Sequence, residues 1–390
     1  MQQLPKRLLS IDVLRAVTMF LMIFVNESSG VKDIPLWIEH AEASADALGF
    51  ADIIFPAFLL IVGLSLPFAI NNKINQGKSF ASILTYILIR GASLLIIGFY
   101  HVNLEEYSPA ALLPKAVWAL AITFAFFLIW LDYPDSMPKN RKHLSIGGGI
   151  FLLIAMAILY KGGTAEQPVW MKPYWWGILG IIGWSYLVCA VLYLFCRGNL
   201  YILITCWLIL ALINIGSHMG LMGLKFWVIG DGASATLTMG GIIISGIYTQ
   251  LTARGKTQRL WLILSLIGIV LITAGLLLRP YADGISKIHS TPAWVFICSG
   301  ITILVFEIVI FLVDVKGKKN WFKWISPAGT STLTCYLMPY FQVFLLQLFL
   351  IKYPLFINTG TAGLLRSFAI SFLLIALVGL LEKKRIRLKL

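Results

Sequence analysis

Charge is scarce in this chain. Asp, Glu, Lys and Arg together make up 12% of its 390 residues, against 59% hydrophobic residues. A soluble surface needs about a quarter of its residues charged, so a soluble globule is excluded. Cysteine is sparse too. The five cysteines include no CxxC pair, so neither a disulfide framework nor a thiolate metal site is indicated. There is no repeat of fixed period and no low-complexity tract. No stretch between the apolar runs is long enough to form a soluble domain.

What is present is a series of apolar runs, most of them near the roughly 17–25 residues needed to cross the hydrocarbon of a bilayer. Twelve can be marked, at about 8–26, 49–70, 80–100, 109–131, 145–160, 174–196, 200–216, 233–253, 260–278, 292–314, 328–350 and 362–381. The fifth and seventh are short, so ten to twelve spans are expected. The fold class is an all-α polytopic membrane bundle forming one domain over residues 1–390. Residues 1–30 resemble a signal peptide, with Lys6 and Arg7 before an apolar stretch. No convincing cleavage site follows, and Asp12 and Arg15 interrupt the stretch, so it reads as a retained first helix.

The net charge of +14 raises the question of a nucleic-acid surface, but the distribution points to topology instead. With twelve spans and both termini cytoplasmic, the inner segments hold twenty Lys and Arg and the outer loops seven. That is the positive-inside bias. The outer loops carry Glu27, Asp33, Glu39, Glu42, Asp46, Glu105 and Glu106.

Ionisable groups inside apolar spans cost about 2.5–3.5 kcal/mol each even on the lenient insertion scale, and so mark candidate sites. In the first span Asp12, Arg15, Met19, Met22 and Asn26 fall on one helical stripe. It is ionic at one end and amide-bearing at the other. Asp12 and Arg15 can pair as an interfacial anchor, or the stripe can wall a polar cavity. Asp52 opens the second span, eleven residues after Ala41, and shares a face with Pro56, Gly63 and Pro67. It reads either as a helix-start charge on free amides or as the partner of His40. His40 lies in a short loop behind Ile34-Pro35-Leu36-Trp37. It is a solvated loop residue or a general base, for which an imidazole titrating near neutrality is suited. Arg90 sits mid-span in the third run, Lys115 about two turns into the fourth, and Arg366 begins the twelfth. Arg90 cannot easily snorkel and should face an acid or a bound phosphate. Lys287 to Trp294 and Ser326 to Thr332, the latter containing Ser331, form polar entries to the tenth and eleventh runs. Either can cradle an anion, although neither matches a P-loop or GxGxxG fingerprint.

The order and spacing of Arg7-Leu8-Leu9-Ser10-Ile11-Asp12-Val13-Leu14-Arg15, Leu21 to Asn26, His40-Ala41 and Phe50-Ala51-Asp52-Ile53-Ile54-Phe55-Pro56 resemble the N-terminal core of heparan-α-glucosaminide N-acetyltransferase and its bacterial NagX-like relatives. These belong to the transmembrane acyltransferases. Looser likenesses follow at Lys287 to Trp294 and at Gly329 to Tyr336. The resemblance implies acetyl transfer from cytoplasmic acetyl-CoA to a glucosamine amino group across a bacterial inner membrane. It also implies a homodimer. Carried over by position, the active-site histidine falls on His40, the neighbouring amide on Asn26 and the carboxylate on Asp52. Arg15, Arg90, Lys287 and Ser331 are the candidate acetyl-CoA contacts. The chain departs from the family at Arg15-Ala16, where the family has Arg-Gly. It also has about two more spans than the common core of ten, and it lacks the long lumenal domain of the animal enzymes.

The rival expectation is a twelve-span secondary transporter for an amino sugar or other small solute. Against it, the two halves show no similarity. The connection Asn71-Asn72-Lys73-Ile74-Asn75-Gln76-Gly77-Lys78 also lacks the acid-plus-arginine pattern common in that loop of major facilitator carriers.

Overall fold

The structure is a computed structural model that describes residues 9–221 and 228–390. Lys6 and Arg7, which enter the charge count and the first motif, lie outside the described residues, as do Leu8 and Lys225. The order of elements is α1 (Leu9–Ser28), α2 (Phe50–Asn75), α3 (Phe80–Val102), α4 (Lys115–Trp130), α5 (Lys139–Ile158), α6 (Ile178–Phe195), α7 (Leu200–His218), α8 (Ala233–Ala253), α9 (Thr257–Leu278), α10 (Pro292–Ile310), α11 (Ser326–Thr330), α12 (Thr332–Leu348) and α13 (Gly360–Lys383). The chain is an all-α polytopic bundle, as its composition predicts. The only strands among the described residues, β1 (Gly162–Gly163) and β2 (Pro168–Val169), form one small hairpin.

Eleven of the twelve apolar runs each coincide with a single helix, and the eleventh holds two. Nine of these helices, among the described residues, are long and apolar enough to cross a membrane; α4 and α12 are shorter apolar helices. The fifth and seventh runs, short in the sequence, are full-length helices of 20 and 19 residues. The α5 helix starts early because Pro138 can precede a helix and the basic residues behind it are good helix formers. The α4 helix starts late, after Pro114. Lys115 is therefore its first residue, not two turns inside it. The eleventh run is broken. It divides at Ser331, whose backbone (φ −123°, ψ 46°) separates α11 from α12.

Contacts between loops pair the same ends of the bundle. At one end Lys32 bridges Thr359, Tyr107 bridges Gly162, Asp46 pairs with Arg279 and His218 with Asp283. At the other end Leu131 bridges Leu388, the Leu9 amide reaches Asp314 and Thr330 donates to Glu382. This is the arrangement that helices running alternately in opposite directions produce. The most extensive helix pairs are α9 with α10, α2 with α8, α3 with α6 and α4 with α5, while α1 touches α2, α10, α11, α12 and α13. Helices α2 and α8 approach backbone to backbone. A Cβ at Gly63 would overlap the Thr238 carbonyl, and one at Gly241 the Leu60 carbonyl. Small residues permit such crossings where lipid supplies no hydrophobic drive to association.

Candidate active site

The connection between α1 and α2 folds back onto the start of α2. The first amides of that helix would otherwise lack acceptors. The loop supplies them: Phe50 N donates to Trp37 O at 2.7 Å and Ala51 N to Ile38 O at 3.3 Å. Asp52, in the first turn, completes the cap. Its Oδ2 accepts from Gly49 N and Ala41 N, both at 3.0 Å. A Cβ at Gly49 would overlap the Glu39 carbonyl, so only glycine lets the loop come this close.

The other carboxylate oxygen is turned outward. Asp52 Oδ1 lies 2.7 Å from His40 Nδ1. The Asp52 side chain is 2% exposed, and that of His40 40%. Both readings of Asp52 therefore hold at once, one on each oxygen. An ionised carboxylate is acceptor-only. The tautomer this network assigns puts the proton on Nδ1 and leaves Nε2 as the basic lone pair. Buried Trp294 fixes the arrangement from α10, with Nε1 donating to the Asp52 carbonyl at 3.0 Å.

Lys287, in the connection from α9 to α10, brings its Nζ to 3.2 Å from Nδ1 and 3.3 Å from Nε2 of His40. It is thus close to both ring nitrogens at once. Burial pushes the Lys287 ammonium below the usual lysine range, and the Asp52 charge opposes that shift. A second tether holds the same connection to the His40 loop. Asp46 Oδ2 accepts from Arg279 Nε at 2.8 Å and Oδ1 from Ile285 N at 2.6 Å. The hydrogen bond from Arg279 holds the Asp46 carboxyl below its ordinary value.

Arg15, Arg90 and Ser331 come together elsewhere. They line a cavity of about 450 Å³ toward the opposite end of the bundle, with Tyr86, Tyr186 and Lys389. Arg15 donates to Asp12 Oδ1 at 3.1 Å, to the Gly329 carbonyl at 3.0 Å and to Ser65 Oγ. Arg90 donates to Tyr86 Oη at 3.2 Å and lies over the Tyr186 ring. The buried Ser331 Oγ has no hydrogen-bond partner among the described residues. Cations, hydroxyls and an unsatisfied buried donor form a set that suits a phosphate-bearing ligand. Lys287 is not part of this cavity.

Asn26, in the last turn of α1, belongs to neither group. It lines a separate cavity of about 240 Å³ with Met19, Met22, Tyr336 and Tyr340. Met19, Met22 and Tyr336 also line the Arg15 cavity, so the α1 stripe runs from one cavity to the other. Asn26 makes no hydrogen bond to His40 or Asp52 among the described residues. Arg366, in the second turn of α13, donates to Asn358 and to the Glu27 carbonyl and covers the Tyr353 ring.

Sequence reasoning did not find Tyr86, Tyr186, Trp294 or Lys389. The signal for Tyr86 was its position four residues before Arg90; a search for acidic partners passes over it. The other three are placed by tertiary contact alone.

Comparison with known proteins bears on the same stretch. Residues 7–107 match the family model described as heparan-alpha-glucosaminide N-acetyltransferase, catalytic. The human heparan-alpha-glucosaminide N-acetyltransferase is 35% identical over 100 residues, covering 26% of this chain and 14% of that protein. The mouse protein of the same name is 29% identical over 151 residues, covering 36% of this chain and 22% of that protein. The matches thus span less than a quarter of the length of these relatives. The family-matched stretch contains Arg15, Asn26, His40, Asp52 and Arg90; Lys287 and Ser331 lie beyond it. The likeness read in the N-terminal motifs is borne out as a family match: over residues 7–107 the chain is similar to the catalytic region of the heparan-α-glucosaminide N-acetyltransferases.

Proposed function

We propose that the chain is an integral-membrane acetyltransferase. It takes the acetyl group of cytoplasmic acetyl-CoA and delivers it to the amino group of a glucosamine-type sugar on the other side of a bacterial inner membrane, with both termini cytoplasmic. The observation that carries the reading is the His40–Asp52 pair, 2.7 Å apart within the family-matched stretch.

Acetyl-CoA supplies an activated acyl group as a thioester. Arg15, Arg90 and Ser331 would hold its phosphates at the cavity they line. The stripe from Asp12 to Asn26 is about 20 Å long at 1.5 Å per residue, so an extended pantetheine arm can follow it. Asp52 keeps the Nδ1 proton in place, and His40 Nε2 acts as the base on the acceptor ammonium. One ammonium proton leaves to solvent by way of His40. The second is shed as the C–N bond forms and the C–S bond breaks, and His40 passes it to the departing thiolate. The Asn26 amide donates to the carbonyl oxygen as negative charge gathers there. The products are an amide, a free thiol and one proton.

The test is transfer of labelled acetyl from acetyl-CoA to glucosamine by the purified full chain, with both substrates varied. Intersecting double-reciprocal lines support direct transfer. Parallel lines with acetyl label trapped on His40 would replace it by a two-step route. Uptake of amino sugar by vesicles without any consumption of acetyl-CoA would replace the enzyme by a transporter.

A further inference from the structure

The His40 end of the bundle holds a second cavity that this chemistry leaves unused. It has a volume of about 790 Å³ and lies between the start of α6, the end of α7, the start of α8 and the connection from α9 to α10. That is the size of a ligand site for a sugar of one or two rings. Three indoles line it, Trp175, Trp176 and Trp184. The rings of Trp175 and Trp184 stand perpendicular, with centroids 5.6 Å apart.

The polar wall is built as deliberately as the aromatic one. His218 is clamped between two carboxylates: its Nδ1 is 2.8 Å from Asp283 Oδ2 and its Nε2 3.4 Å from Asp231 Oδ2. Asp231 Oδ1 also accepts from Ala233 N at 3.0 Å, which fixes that carboxylate at the start of α8. Asp283 has a left-handed backbone (φ 56°) and a side chain 62% exposed. The Ser217 Oγ is buried with no hydrogen-bond partner among the described residues and belongs to the cavity lining. Among the described residues no lysine or arginine lines the cavity; its charged and titratable groups are Asp231, Asp283, His218 and His289. Aromatic faces offer stacking surface to the C–H side of a pyranose ring and attract a cation, while carboxylates accept from hydroxyl and ammonium groups.

The cavity shares a wall with the His40 site. Ile288, His289 and Ser290 line the cavity and directly follow Lys287. The shared wall is fixed by the Asp46 tether and by Asn214, whose amide donates to the Ser290 carbonyl at 3.1 Å. We propose that this cavity seats the acceptor: a two-ring amino sugar stacked on the tryptophans, with one ammonium and the hydroxyls held by Asp283, Asp231 and Ser217 and the amine to be acetylated directed past the shared wall toward His40. The proposal deepens the acetyltransferase reading and rests on it for the choice of sugar.

The experiment is equilibrium dialysis of the detergent-purified full chain with a labelled glucosamine disaccharide, alongside acetyl-transfer kinetics. The variants are Trp176→Ala and Asp283→Asn, at side chains more than half exposed; each is checked for a wild-type melting temperature. Each substitution should weaken disaccharide binding about tenfold, the weight of one charge-assisted or stacking contact. The sugar KM should rise with it, and the acetyl-CoA KM should stay unchanged. The di-N-acetylated disaccharide, which lacks the charge, should bind the wild type more weakly and gain nothing from Asp283. Absence of disaccharide binding to the wild type, or equal binding by all three proteins, overturns the proposal. Variant-sensitive binding without any acetyl transfer would leave the cavity standing and remove the acetyltransferase reading instead.

Discussion

The His40 region and the Arg15 region satisfy their charges in opposite ways. At the His40 end, the Asp52 carboxylate divides its oxygens between the amides of Ala41 and Gly49 and the His40 ring. The Asp52 contact places the ring proton on Nδ1 and the lone pair on Nε2. At the Arg15 end one cation, Arg15, is paired with the Asp12 carboxylate, and the other rests on weaker acceptors. Arg90 has a phenol and a ring face, and a buried serine hydroxyl is left over. The first arrangement suits moving a proton, because the base is held ready before substrate arrives. The second suits receiving an anion, because a bound phosphate improves on the phenol and ring face that Arg90 already has.

If that contrast is right, substitutions at the two ends should affect different kinetic quantities. The largest effect is expected from His40→Ala. It should lower kcat by about 10²–10⁴-fold, the usual worth of a general base, with acetyl-CoA affinity retained. Turnover near the wild-type rate would remove the proton-transfer role from this end altogether. Asp52→Asn keeps the shape of the cap and loses the charge that fixes the tautomer. Activity should fall by about 10–10²-fold, less than for loss of the base itself. The cap should weaken by about 0.5–2 kcal/mol, read as a lowered melting temperature. A stability change with unaltered kcat would reduce Asp52 to a helix cap.

Arg90→Ala sharpens the comparison from the other side. The acetyl-CoA dissociation constant should rise about tenfold, while kcat at saturating substrate holds. Loss of stability with unchanged affinity would make Arg90 a partner of Tyr86 and Tyr186 and nothing more. The smallest effect concerns the tether between the two outer connections. The Asp46 carboxyl is held below its ordinary value by Arg279, so the folded state binds fewer protons than the unfolded one as the pH falls into the carboxylate range. Its contribution is present above the unfolded value and disappears as the pH falls through the folded one. Both side chains are nearly half exposed, and salt screens such a pair. The melting temperatures of wild type and Asp46→Asn should differ slightly at neutral pH and converge in acid. A difference that persists in acid would assign the tether to packing instead of charge.

Much of the fold was legible because lipid imposes a length and an apolarity on each crossing, and both can be counted along the chain. Eleven of the twelve runs became single helices for that reason. The limits of this reading lie where a single residue decides. Pro114 moved Lys115 to a helix end, and the backbone at Ser331 broke the eleventh run in two. The His40–Asp52 contact was foreseeable because twelve residues and one helix start separate the partners, and local chain geometry carries them together. Residues far apart in sequence were another matter. Lys287 was grouped with Arg15 and Arg90 as one of several cations near an anion, yet it stands at His40, 247 positions along the chain.

The sequence by itself determined the membrane class, the course of eleven of the helices and the loop that presents His40 to Asp52, since each depends on hydropathy or on neighbours along the chain. Only the tertiary structure decided which cations share a cavity, that Trp294 anchors the start of α2, and that three tryptophans and the His218 clamp enclose a second cavity beside the first. Those juxtapositions depend on which faces of distant helices pack together. In a chain that is 59% hydrophobic, the faces are too alike for periodicity to tell them apart.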